Sequence, residues 1–220
     1  MNRDQDALEY TLFNKDNILN NLMVIANIAI YIILSAMGDM NNSGYLLEKG
    51  AMYGPYFENG EWWRLITAMF LHSGFIHIAN NMVALFFIGA IVERYFGHIR
   101  YIIMYFISGV SGFLLSYVGH SDDSVCVGAS GAIFGMFAAV LVIMIFNGQA
   151  EYISWKMLIL FILLQFAEPL FESAVYGKNG ITNVFDSTFT NVDVYGHIGG
   201  FAAGAVMSVV LMLIRRRRYS

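Results

Sequence analysis

The sequence predicts an all-α polytopic membrane protein that crosses the bilayer six times, and three observations carry that expectation. Of 220 residues, 58% are hydrophobic and 13% charged, with a mean hydropathy of +0.59, where a soluble domain is about a quarter charged. The apolar residues gather into runs parted by polar segments, and basic residues are spread unevenly over those segments. In lipid the backbone must satisfy its own hydrogen bonds, so the spans are helices held by small-residue packing and internal hydrogen bonds. The net charge of −4 points to no class of partner. No basic arm or aromatic-basic module suggests nucleic acid, and the run Arg215-Arg216-Arg217-Arg218 reads as a topology signal.

Residues 1–20 are polar and mixed in charge, and read as a tail at the membrane surface. The N-terminus lacks the positive start of a secretory signal, so the first apolar run, 21–37, is expected to be retained as a span. Residues 38–62 carry five charges together with Tyr45, Tyr53, Tyr56, Phe57 and Trp62, a composition suited to a loop lying in the lipid–water interface. The second span is 76–96 and the third 101–118, joined by a turn holding Glu93, Arg94, His98 and Arg100. The fourth runs over 127–146. The fifth, 157–167, is short, which suits a tilted or mobile element, and Pro169 ends it. A polar loop over 170–191 precedes the sixth span, 192–214, and 215–220 form a basic tail.

Six spans put both termini on one side. With that side cytoplasmic, nine basic residues lie inside (Arg3, Lys15, Arg94, Arg100, Lys156 and Arg215 to Arg218) and three outside (Lys49, Arg64, Lys178). The split favours cytoplasmic termini. No internal repeat is visible and the inner halves of the spans hold few polar residues, which argues against a transporter.

Function concentrates in Gly128-Ala129-Ser130-Gly131-Ala132-Ile133-Phe134-Gly135. Ser130 among glycines at the start of an apolar run is either a nucleophile or one of the small residues that let helices approach, as Gly131-x-x-x-Gly135 does. In the six-span topology His197 stands about as deep in the sixth span as Ser130 in the fourth. An intramembrane histidine is costly unless paired or hydrated, and imidazole is the usual base for a serine nucleophile. Its alternative is a structural histidine bonded between spans. Gly200 and Gly204 lie on the His197 face, so the sixth span is expected to meet another helix there, backbone to backbone.

His77 and Asn81 are spaced i, i+4 at the outer start of the second span, where with the Ser130 N–H they could cradle a developing oxyanion. Asn80 is expected to face another helix or the interface. Asp193, one turn before His197, is either a helix cap or an orienting third member of the site, and the cap is the simpler reading. Cys126 is the single cysteine, so no intrachain disulfide forms, and nothing in its local sequence activates the thiol as a rival nucleophile. His72 and His77 lack a zinc-binding pattern, so no metal and no cofactor is expected. The G-x-S-x-G elbow of soluble hydrolases is not matched, because Ala132 takes its last glycine position.

Taken in order, Trp63-Arg64, His77-x-x-x-Asn81, Glu93-Arg94, Gly128-Ala129-Ser130-Gly131 and Gly196-His197 with Gly200 resemble the motif series of the rhomboid intramembrane serine proteases, of the prokaryotic six-span type. The resemblance covers residues 20–214. It implies a six-helix bundle with a membrane-embedded first loop and a Ser130–His197 dyad. It also implies His77 and Asn81 as oxyanion donors, Gly128, Gly131 and Gly200 in support, and Phe134 packed on the histidine. The fifth helix and its following loop would act as a gate, with Asn80 near it. The implied partners are transmembrane segments of other proteins, cut near their outer ends, and the implied location is a bacterial cell membrane. The alternative within the same fold is a catalytically silent protein that binds membrane helices.

Overall fold

The computed structural model describes residues 15–119, 124–147 and 193–217, with a few helical positions between 156 and 163. Among them, four helices are long and apolar enough to cross a membrane: Lys15–Ser35, Phe75–Phe96, His98–Gly119 and Val194–Arg215. A rise of about 1.5 Å per residue makes the longer ones roughly 33 Å, against a hydrocarbon thickness of about 30 Å. The helices are α1 (Ile18–Ser35), the short α2 (Ser43–Glu48), α3 (Gly54–Glu58) and α4 (Arg64–Thr67), then α5 (Phe75–Ala84), α6 (Ala90–Phe96), α7 (His98–Gly119), α8 (Ser130–Asn147) and α9 (Val194–Arg217).

The expected fourth span is α8, whose apolar stretch Ser130–Phe146 is shorter than the others. Its residues are apolar on every side, and Ala132, Ile133, Met136, Val140 and Ile143 are all buried. A helix apolar all round belongs in the middle of a bundle, so α8 is enclosed by its neighbours and α7 and α9 are its main partners. Most of the expected fifth span lies outside the described residues. Of those described, Leu158 and Phe161 are buried, and the Phe161 ring packs on Phe134 and Phe137 of α8 at 5.5 and 4.5 Å between centroids. Of the expected 1–20 tail, residues 1–14 lie outside the described residues, as does the 170–191 loop, while Lys15 to Asn20 are helical and begin the first span rather than a tail.

On α1 the usual polarity is inverted. Ile25, Ile32 and Ile33 are exposed while Asn20 and Asn27 are buried, as suits a helix whose outer solvent is lipid. Asn20 donates from Nδ2 to the Phe86 carbonyl at 3.2 Å and accepts from the Tyr101 hydroxyl at 2.8 Å. Between α5 and α6 the chain winds through a π-turn, Leu85–Gly89. Such a turn disturbs the regular hydrogen-bond ladder, and Asn20 takes up one of its carbonyls.

Residues 38–62, expected as an interfacial loop, are more ordered than that reading implies. Strand β1 (Met52–Tyr53) pairs antiparallel with β2 (Val125–Cys126), Met52 opposite Cys126 and Tyr53 opposite Val125. Arg64 is buried and donates from Nη1 to the carbonyls of Leu47 and Ala51 at 2.7 and 2.9 Å, and from Nε to Glu61 at 2.8 Å. Its guanidinium stacks on Tyr56 and Trp63. The loop is thus clamped about one cation through three hydrogen bonds from its Nε and Nη1. Trp62 and Phe75, 69% and 71% exposed, are placed to meet lipid.

Candidate active site

The segment before α8 is fixed from two directions. Its strand β2 is tied to the first loop, and the Gly128 N–H donates to the Ala68 carbonyl at 2.9 Å. Gly128 has φ of +118°, a conformation that side chains disfavour. A Cβ there would also lie 2.8 Å from His77 Nε2. The chain then enters α8 at Ser130. The Ile133 N–H donates to the Ala129 carbonyl at 3.0 Å, which leaves the first-turn amides of Ser130, Gly131 and Ala132 without partners inside their own helix. Ser130 is half-buried.

The other histidine arrives on α9, which meets α8 glycine on glycine. A Cβ on Gly200 would collide with the Gly131 carbonyl, and one on Gly204 with that of Gly135. This is the backbone approach that the glycine spacing predicts. It carries the His197 imidazole onto the Phe134 ring, stacked at 4.1 Å with 16° between planes. Phe134 is four residues after Ser130 and so on the same helical face. Ser130, His197 and His77 Nε2 therefore converge at the start of α8. Ser130 and His197 are not hydrogen-bonded to each other in this structure.

His77 is held from behind. Its Nδ1 accepts the Ser73 backbone N–H at 3.3 Å and lies 3.0 Å from Ser73 Oγ. A main-chain N–H can only donate, so Nδ1 carries no proton and the ring's N–H is at Nε2, on the Gly128 side. Asn81 lies on the same face as its spacing requires. Its Nδ2 donates back to the His77 carbonyl at 2.9 Å, so in this structure the amide is turned along its own helix. Asn80 is partly buried, with its amide nitrogen unpartnered.

Sequence reasoning missed two neighbours. Ser73 sets the His77 tautomer through its backbone, which no residue pattern advertises. His72 was weighed only as a metal ligand, yet it is fully buried, edge-on to His77 at 5.1 Å, with both ring nitrogens unpartnered. Burial, with the nearby His77 next, holds its pKa well below the ordinary value. No group of three or more potential metal ligands occurs among the described residues.

The two remaining candidates are accounted for. Asp193 Oδ1 accepts the Gly196 N–H at 2.7 Å, capping α9 as the simpler reading held. Cys126 Sγ lies 3.4 Å from Ser116 Oγ. Burial first, and then the Asp193 carboxylate, push its pKa up to about 12. A thiol kept protonated is a poor nucleophile.

Apolar helices packed on glycines around a serine and two histidines define a polytopic membrane protein with a polar cluster among its helices. The Rhomboid domain model matches residues 59–214 of the chain. The chain is 31% identical over 192 residues to the rhomboid protease GluP of Bacillus subtilis (strain 168), covering 87% of this chain and 34% of GluP. It is 33% identical over 161 residues to YdcA of the same strain, covering 73% of each. It is 36% identical over 169 residues to RHOMBOID-like protein 5 of Arabidopsis thaliana, covering 76% of this chain and 50% of that one. The chain belongs to the rhomboid family, and is an integral membrane protein.

Proposed function

We propose that the protein is an intramembrane serine endopeptidase acting on transmembrane segments of other proteins. The observation that carries this reading is the His197 ring stacked on Phe134 at 4.1 Å, one helical turn from Ser130. In the proposed reaction Ser130 Oγ attacks the scissile carbonyl carbon while the His197 imidazole takes its proton. The carbonyl oxygen, now anionic, accepts from His77 Nε2–H, from first-turn amides of α8, and from Asn81 once its amide turns off its own carbonyl. Collapse of the intermediate breaks the C–N bond, and the amine leaves with the proton from His197. Water then cleaves the acyl-enzyme, with His197 again the base.

A peptide bond within a helix is shielded by its own backbone, so the substrate must unwind locally at the site. The same proposal has six spans over residues 21–214, both termini cytoplasmic, and the 157–167 segment with its following loop as the gate. Phe161 against Phe134 favours that role, since movement there would uncover the ring on which His197 rests.

The test is cleavage of a single-span model substrate by purified protein in lipid, comparing the parent with Ser130→Ala and His197→Ala. Cleavage by the parent, lost in both folded variants, is expected. If nothing is cleaved, a fluorophosphonate probe separates the readings: labelling at Ser130 keeps the serine hydrolase, and no labelling favours a silent binder of membrane helices. Unfolding of Ser130→Ala would make that serine structural.

A further inference from the structure

The end of the bundle opposite Ser130 carries a basic rim. Gly97, with φ of +85°, turns the chain from α6 into α7, leaving Ile99 and Arg100 exposed on the outside of the turn. Arg100 gives one N–H to the Phe96 carbonyl at 2.9 Å. On the neighbouring α9, Arg215 lays its guanidinium over the Tyr95 ring at 4.9 Å, while the Tyr95 hydroxyl donates to Met212 Sδ at 3.4 Å. Tyr95 and Phe96 rings touch at 4.9 Å. A continuous line of contacts thus runs from Arg100 to Arg215, and Arg216, Arg217 and Arg218 follow in the sequence.

Glu93, the acidic group in the last turn of α6, does not neutralise this rim. Glu93 is fully buried, and its oxygens are engaged by the Leu19 N–H at 3.0 Å, the Asn20 N–H at 2.6 Å and His98 Nδ1 at 2.5 Å. Its charge is directed at the first turn of α1. Exposed apolar side chains adjoin the cations: Ile99 is 76% exposed, and Leu213 and Ile214 are about half so.

We propose that this rim is a seat for anionic phospholipid. Arg100 and Arg215 hold the headgroup phosphate, while Ile99 and Ile214 sit at the acyl boundary. Contact with the Tyr95 ring holds the Arg215 guanidinium in place, and its planar fork of N–H donors suits phosphate oxygens in a way that a lysine ammonium does not. The apolar flank is what selects a lipid over a soluble phosphate or a nucleic acid. Basic side chains at a membrane surface each contribute about 1 kcal/mol towards anionic lipid, or about fivefold in affinity.

The experiment places the full chain in nanodiscs of phosphatidylglycerol and phosphatidylcholine in equal parts, extracts it into mild detergent, and quantifies retained lipid by mass spectrometry. Phosphatidylglycerol is expected in excess. Arg100→Gln and Arg215→Gln should each lower that excess about fivefold, with Arg215→Lys between Gln and the parent. Circular dichroism and melting show that each variant is folded; Arg100→Gln, which gives up no ring contact, carries the test if Arg215→Gln melts early. Equal retention of the two lipids, or an excess untouched by either Gln variant, would overturn the proposal. So would displacement of the lipid by inorganic phosphate, which would make the site one for a free anion.

Discussion

Ser73 governs what His77 can offer. By donating its N–H to Nδ1 it fixes the protonated nitrogen on the Gly128 side, where an oxyanion would form. His77→Ala should therefore lower kcat about 10²- to 10³-fold with little change in KM, measured on the model substrate at fixed lipid composition. Cys126 gives a second expectation. Its thiol pKa, raised from 9.0 to about 12, means that the fold favours the neutral thiol. That preference is fully present below the unfolded value and is lost as pH rises through the folded one. Maleimide labelling at pH 8 should be slow in the native protein and fast after unfolding; rapid native labelling would contradict the burial. At this scale Ser130, His197 and His77 were legible because each is a polar side chain in an apolar run. Ser73 was not, because it acts through a backbone N–H that every residue but proline possesses.

Among the elements, the α8–α9 crossing is the most demanding. Gly200 lies against the Gly131 carbonyl and Gly204 against that of Gly135, so any side chain must push the helices apart. Gly200→Val should destabilise the protein by about 1–3 kcal/mol, read as a lowered melting temperature. It should also abolish fluorophosphonate labelling of Ser130, because His197 leaves with α9. Retained labelling in a folded Gly200→Val protein would mean that the crossing does not set the His197 position. The four-residue glycine period announced this contact in the sequence. The order of residues 38–62 was not announced, since it comes from pairing Met52 with Cys126 and from Arg64 reaching Leu47 and Ala51. Such contacts join residues far apart in the chain, and local composition reports only that this loop is aromatic and polar.

For the whole molecule, polar nodes do what apolar burial does in a soluble core, because lipid is as apolar as the helix interior. Glu93 is the best placed of them, accepting from the first turn of α1 and from His98. It binds α1, which otherwise turns isoleucines outward, to the α6–α7 turn. Its position was legible as one of a motif pair, but its partners were not, since Leu19 and Asn20 precede it by more than seventy residues. Glu93→Ala strands the buried Asn20 N–H and the part-buried Leu19 N–H, and each buried unsatisfied group costs about 1–3 kcal/mol. Glu93→Gln keeps an acceptor for one of them and loses the charge that favours a helix N-terminus. The expected order of melting temperatures in one detergent is parent, then Gln, then Ala, with parent-like substrate cleavage by the folded variants well below their transitions, because the node lies at the far end from Ser130. If Ala and Gln melted alike, charge at the α1 N-terminus would be the stabilising factor. If neither variant shifted the melting temperature, α1 would be held by its contacts with α5 and the π-turn, and the node would be dispensable.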